Sequence, residues 1–230
     1  MDSKSKIGLT IFDIDETLFH TKAKVQVSKE GKIVKILDNQ QYNSYRLKKG
    51  ESFNYGQFKS AKIFKETSTP IAKVIKRAKR IIHFATRKGS KVIIVTARQD
   101  MDDKKIFKEA FKAQGIDIGR VYVERAGNIG KKTASENKVV IFKRYLDTGR
   151  YARIRLFDDD KNNLKAFLSL KKKYSSIDFS AYQVFKSGNI KKLWKSYKKS
   201  KITVILNLLL KIEKLIINWV NLNKIIGSEK

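Results

Sequence analysis

Apolar residues occur along this chain as short runs alternating with amphipathic stretches, and acids gather where several of the runs end. The first run, Ile7-Gly-Leu-Thr-Ile-Phe12, is mostly apolar and is followed at once by acids. That is the pattern of a strand buried on both faces of a parallel sheet. Residues 24–27 and 32–37 are β-rich, and the turn Ser28-Lys-Glu-Gly31 between them predicts a hairpin. Residues 38–69 are polar and dotted with aromatics, with no period that assigns them. Pro70 then opens an amphipathic helix over residues 71–87, where proline is tolerated, and Gly89 closes it.

From there the alternation is regular. Residues 91–95 predict a strand, 103–114 a helix stopped by Gly115, and 120–123 a short strand. A helix over 134–146 follows, with Thr133 and Glu136 in capping-box spacing. A strand over 153–157, a helix over 163–173 and a last strand over 181–185 complete the series. Strands and helices in this order predict an α/β fold, a Rossmann-like, mainly parallel sheet with helices on both faces. Ligands of such sheets bind beyond the carboxyl ends of the strands.

Composition narrows the chemistry. The 230 residues suffice for one α/β domain over 1–190, with residues 18–70 inserted as a small β-hairpin flap or cap after the first strand. Cysteine is absent, which excludes disulfides, thiolate metal sites and cysteine nucleophiles. The two histidines, His20 and His83, are too few for a histidine-built metal site or a Ser-His-Asp triad. A metal here must be held by oxygen, which favours magnesium. The net charge of +30 is large. It reads either as attraction to a polyanion, nucleic acid above all, or as a lysine-rich drift spread along the whole chain. The N-terminus carries no signal segment, so a soluble, cytoplasmic protein is expected.

Residues 191–230 change character. Lys191-Lys-Leu-Trp-Lys-Ser-Tyr-Lys-Lys-Ser-Lys201 is basic and aromatic and leads into an apolar stretch over 202–226. Ile202, Ile205, Leu209, Ile212, Ile216 and Trp219 repeat at spacings of three and four, which predicts an extra amphipathic C-terminal helix. Lys211, Glu213 and Lys214 interrupt it too often for a membrane span. Packing on the parent domain and self-association are the plainer readings; an anionic membrane surface is the third.

Candidate chemistry sits at the strand ends. The first strand runs into Asp13-Ile14-Asp15-Glu16-Thr17, and residues two apart in extended chain face the same way. A carboxylate can attack phosphorus to give an acyl-phosphate, and a second acid can protonate the leaving oxygen and later activate water. A solvated acidic turn is the bland alternative. The strand over 91–95 ends in Thr96-Ala97-Arg98, a hydroxyl and a guanidinium able to bind phosphoryl oxygens, although Thr96 could equally cap a helix. The strand over 153–157 ends in Asp158-Asp159-Asp160, acids costly to bury unless they hold a cation. Lys138 could neutralise the phosphoryl group over these ends, with Lys131 and Lys132 as rivals.

This order of parts resembles the haloacid dehalogenase-like superfamily. Ile11-Phe-Asp-Ile-Asp-Glu-Thr-Leu18 looks like its first motif, Val92-Ile-Ile-Val-Thr96 its second, Lys138 its third and Leu156-Phe-Asp-Asp159 its fourth. The resemblance covers about residues 7–187. It implies Asp13 as nucleophile, Asp15 as acid and base, Thr96 and Lys138 on the phosphoryl group, and magnesium held by Asp13, Asp15, Asp158 and Asp159. Keeping the second acid, Asp15, is similar to the phosphatases of the family rather than the dehalogenases. Val-Thr-Ala-Arg98 together with Tyr-Leu-Asp-Thr-Gly149 looks most like phage-encoded members of uncertain substrate. The function implied is a magnesium-dependent phosphatase acting on a nucleotide or a phosphorylated nucleic-acid end. The alternative is a basic nucleic-acid-binding accessory protein with a non-catalytic fold.

Overall fold

The computed structural model describes residues 7–87, 89–130, 133–193 and 212–213. The chain divides into two units, Met1–Leu193 and Trp194–Lys230. Of the second only residues 212 and 213 are described, both helical, so the expected C-terminal helix and its self-association lie outside the described residues. Lys131 and Lys132, the rivals of Lys138, lie outside them too.

The elements of the first unit follow in chain order. They are β1 (Ile7–Phe12), β2 (Phe19–His20), β3 (Val25–Lys29), β4 (Lys32–Leu37), α1 (Asn39–Ser44), β5 (Glu51–Asn54), α2 (Gly56–Lys59), α3 (Ala61–Thr67) and β6 (Thr69–Pro70). Then come α4 (Ala72–Arg87), β7 (Lys91–Thr96), α5 (Lys104–Lys112), β8 (Tyr122–Arg125), α6 (Ala134–Leu146), β9 (Tyr151–Asp158), α7 (Lys161–Ser169), β10 (Asp178–Val184) and β11 (Ile190–Leu193).

Six strands form the central sheet in the order β11-β10-β9-β1-β7-β8, all parallel except β11, which pairs antiparallel with β10. The expected mainly parallel sheet is present, and both of its faces are covered. On one face Phe12, Val92, Ile94 and Phe157 pack against α3, α4 and α5; on the other Leu9, Ile11, Ile93 and Leu156 pack against α6 and α7. The rings of Phe12, Phe157 and Tyr182 stack across β1, β9 and β10, with centroids 4.8 and 4.6 Å apart. Phe12 and Phe157 each lie one residue below an acid, and the ladder supports the register of the three strands.

Three expectations need correction. The sheet does not end at β10, because Ile190–Leu193 adds an edge strand where the basic C-terminal segment was expected to begin. Its four residues are two consecutive lysines between Ile190 and Leu193, a break in the alternation that hides the strand pattern. The insertion also holds more than a hairpin. β5 joins β3 to make a three-stranded sheet in the order β4-β3-β5, with a small core of Val25, Val27 and Leu37 under Tyr42, Tyr45, Phe53 and Phe58. β2 and β6 pair at its base, where Phe19 meets Pro70. Pro70 therefore sits in a two-residue strand before the helix rather than in its first turn. Among the described residues no helix is long and apolar enough to cross a membrane.

Candidate active site

The parallel pairing brings the ends of β1, β7 and β9 to one edge of the sheet. Asp13 N–H donates to the Phe157 carbonyl at 3.0 Å, so the residue after β1 lies beside the end of β9. Asp13, Asp158 and Asp159 come together there, each offering an oxygen within 4.8 Å of the others. Acids from two distant parts of the sequence thus share one largely buried pocket.

Lys138 holds them. It lies on α6 in the buried stripe that continues through Ile141, Phe142 and Leu146, and only 1% of its surface is exposed. The α6 start is fixed by the expected capping box, in which Thr133 accepts from Glu136 N–H and Glu136 returns the bond to Thr133 N–H. From that helix the Lys138 Nζ reaches Asp13 Oδ1 at 2.9 Å and Asp158 Oδ2 at 2.8 Å. Burial works against the ammonium charge, but Asp13 and Asp158 outweigh it and hold the proton more firmly than in an ordinary lysine.

Asp158 is the anchor of this arrangement. It is fully buried; its Oδ1 accepts from Asp160 N–H at 2.9 Å and from the Asn163 amide at 3.0 Å, and its Oδ2 accepts from Lys138. Both of its oxygens accept hydrogen bonds and one orients Lys138, and with Asp13 and Asp159 it belongs to the group of acids that could hold a metal. Asp160 instead caps α7, accepting from Asn162 N–H. Asp13 and Asp159 are less satisfied. Burial, together with Asp158, Asp159 and Asp15, pushes the Asp13 carboxyl well above its ordinary range against the pull of Lys138. Burial and then Asp158 push Asp159 up to about 7. Three carboxylates face one ammonium, which leaves two uncompensated negative charges when all are ionised. An all-oxygen pocket with that deficit fits a hard divalent cation.

Asp15 and Arg98 form a second pair. The Arg98 Nε lies 2.9 Å from Asp15 Oδ2 and its Nη2 2.6 Å from Asp15 Oδ1, a two-pronged bond. The same guanidinium donates to Thr21 Oγ1 and to the Phe58 carbonyl, and it packs on the rings of Phe58 and Phe64. Arg98, expected on the phosphoryl group, here forks onto Asp15. Thr96, the last residue of β7, is buried and accepts from Arg98 N–H at 3.2 Å, leaving its own proton to donate.

Sequence reasoning gave no role to Thr17 or Asn163. The Thr17 hydroxyl donates to Asp159 Oδ1 at 3.4 Å, and the Asn163 amide bridges both oxygens of Asp158. Thr17 stood inside the first motif, and Asn163 is an amide on the first turn after the acid run. Both signals were present in the sequence. Glu16 adopts φ 55, a left-handed conformation uncommon for a non-glycine, and its carboxylate accepts from Thr21 N–H and meets His20 at 2.9 Å.

Gly127 lets a second loop close against this one. A Cβ there would lie 2.5 Å from the Ala97 carbonyl oxygen and 2.8 Å from the Arg98 carbonyl carbon. Gly127→Ala is therefore expected to push back the segment that carries Arg98 and to cost about 1–3 kcal/mol of stability, measured by urea unfolding.

No family model matches this chain, and no curated protein matches it. Among solved structures, the HAD domain of effector protein Lem4 from Legionella pneumophila is similar at 13% identity, over 86% of this chain and 94% of that chain, with a TM-score of 0.46. The chemistry of this pocket therefore rests on the chain's own side chains.

Proposed function

We propose that this protein is a magnesium-dependent phosphatase of the haloacid dehalogenase-like type, hydrolysing a phosphate monoester through a phosphoryl group carried on Asp13. The observation that supports this most is the buried Lys138 ammonium, held by Asp158 and pressed against the Asp13 carboxylate at the carboxyl edge of the sheet. In that place it offsets the charge of the nucleophile and of an incoming phosphoryl oxygen together.

In the first step an Asp13 oxygen bonds to phosphorus and the ester P–O bond breaks. Asp15, as the acid, gives its proton to the leaving oxygen. In the second step Asp15 takes a proton from water as that water bonds to phosphorus. The bond from phosphorus to Asp13 then breaks and inorganic phosphate leaves. The Thr96 hydroxyl proton and Lys138 bind phosphoryl oxygens throughout. Magnesium would be held by Asp13 and Asp159, with the Asp15 backbone and Asp158 beside them, and would supply charge neutralisation for the transferred group. Arg98 acts on Asp15, not on substrate: its fork fixes the carboxylate, and its bond to Phe58 ties that geometry to the insertion. A nucleotide or a phosphorylated nucleic-acid end is the substrate class proposed, with the insertion choosing among candidates.

The test is phosphate release from an aryl phosphate with and without magnesium. Metal-dependent turnover supports the reading; no turnover on aryl, nucleotide or oligonucleotide phosphates would sink it. Two further outcomes are expected. Magnesium at about ten times its dissociation constant should stabilise the folded chain by about 1.4 kcal/mol in thermal unfolding, and Asp159→Asn should remove that gain. Arg98→Lys, which cannot reproduce the two-pronged bond, should lower kcat about 10- to 100-fold with little change in KM, as read from initial rates.

A further inference from the structure

The acids are unevenly spread. Between Glu66 and Asp100 there is none, against nine lysines and arginines, and between Asp178 and Glu213 there is none, against eight lysines. The fold brings the described parts of these two stretches together. The α4 helix belongs to the first, and the turn between β10 and β11 to the second.

Their meeting is close. Lys73 Nζ donates to Asn189 Oδ1 at 2.9 Å, and a Cβ on Gly188 would lie 2.9 Å from Ile71 Cγ2 and 3.3 Å from Lys73 Cβ. The turn is therefore seated on the start of α4. Both lie at the edge of the sheet that carries the candidate active site. Ile71 N–H donates to the Leu18 carbonyl in the loop after β1, and Gln183, just before the turn, pairs with Asp158. Asp178, the nearest acid along β10, opens that strand at the opposite edge.

On this surface Lys73, Lys76, Arg77 and Lys186 are exposed, and among the described residues none of them is paired with a carboxylate. Phe185, the neighbour of Lys186 at the start of the turn, is 41% exposed. The contrast with α5 is informative. That helix is also lysine-rich, but it carries Glu109, which pairs with Lys65, and is capped by Asp103. The acid-free face of α4 continues away from the site for roughly 24 Å, the length of a sixteen-residue helix.

We infer that the surface formed by α4 and the β10–β11 turn docks a single-stranded nucleic acid, with its backbone along the cations and a base on Phe185. Unpaired cations suit phosphates, and an exposed ring suits a base face, which is the pairing that strand binding uses. An anionic membrane fits less well, because docking there calls for a continuous apolar face, and the exposed side of α4 carries Lys73, Lys76, Arg77, Lys79 and Arg80 with Phe84 as its one large apolar side chain among the described residues. The inference deepens the proposed function and rests on it in one respect. The docked strand would present a terminal phosphate to Asp13.

The test uses the full chain as Asp13→Asn, so that binding is read without turnover. The probe is a fluorescein-labelled single-stranded oligonucleotide with a 3′- or 5′-phosphate, titrated by anisotropy across a salt series. Lys73→Gln, Lys76→Gln, Arg77→Gln and Lys186→Gln together should weaken binding and flatten the log–log salt slope by about 3. A matched control is Lys161→Gln, Lys165→Gln, Lys171→Gln and Lys172→Gln on and after α7, against the other face of the sheet, and it should flatten the slope far less. Phe185→Ala should weaken binding about tenfold, while aryl phosphate turnover in the otherwise wild-type chain stays unchanged. Equal losses from the two quadruple variants would overturn the inference, as would Phe185→Ala binding like its parent. Phosphatidylglycerol vesicles retained more strongly than the oligonucleotide, with the same variants losing them, would overturn it in favour of a membrane. If the variants behave as expected but the wild-type chain releases no phosphate from any substrate, the reaction fails and the docking surface stands.

Discussion

Asp13→Asn is expected to reduce phosphate release at least a thousandfold, to the level of the uncatalysed reaction in a routine assay. The amide keeps the shape of the carboxylate, so the loss reads chemistry and not folding. It removes the negative oxygen that bonds to phosphorus, and an amide oxygen is too weak a nucleophile to replace it. Removing one member of a group that acts as a unit costs most of what the whole unit contributes. Folding should change little or improve, because burial and three neighbouring carboxylates already press Asp13 toward its neutral form. A variant that is inactive and as stable as the parent is the expected pair of outcomes, measured by phosphate release and by thermal unfolding.

The second large effect belongs to Lys138. Lys138→Met keeps the long apolar stem beside Ile141 and Phe142 and removes only the ammonium. Asp13 and Asp158 would then face each other in the interior without their shared cation. Breaking a buried pair by removing one partner costs about 3–5 kcal/mol, because the remaining charges stay desolvated. Urea unfolding should show that loss, and turnover should vanish with it. Adding Asp158→Asn removes one of the stranded charges and should restore part of the stability, since residues sharing one network do not add independently. Turnover should stay absent in the double variant. Recovery of stability without recovery of activity separates the structural part of Lys138 from its part in catalysis.

Much of this pocket could be read from the chain alone, for a physical reason. A strand buried on both faces must be almost wholly apolar, so Asp13-Ile-Asp15 and Asp158-Asp159 stand out as charges placed where a buried strand ends. The capping box at Thr133 and Glu136 likewise fixed the start of α6, and with it the turn on which Lys138 lies. Lys138 itself was one of 52 lysines and arginines. Its spacing to Ile141 and Phe142, which puts it on the buried stripe, is the signal that singles it out.

What stayed hidden depends on partners distant in sequence. Arg98 follows a strand that ends in a hydroxyl, and nothing nearby says whether its guanidinium meets a ligand or a protein carboxylate. The answer lies 83 positions away, at Asp15. The Phe58 carbonyl that helps hold it belongs to residues 38–69, whose short helices and four-residue strand are too brief to show a period. The two acid-free stretches were visible as composition, but only the seating of Gly188 on Ile71 and Lys73 makes them one surface.

The most direct measurement is mass spectrometry of the peptide containing Asp13 after acid quench of a single turnover with magnesium. A phosphoryl adduct on Asp13 that forms and decays at the rate of phosphate release is the predicted result. Turnover with no adduct on Asp13 at any time, or with the adduct on another residue, would contradict the account.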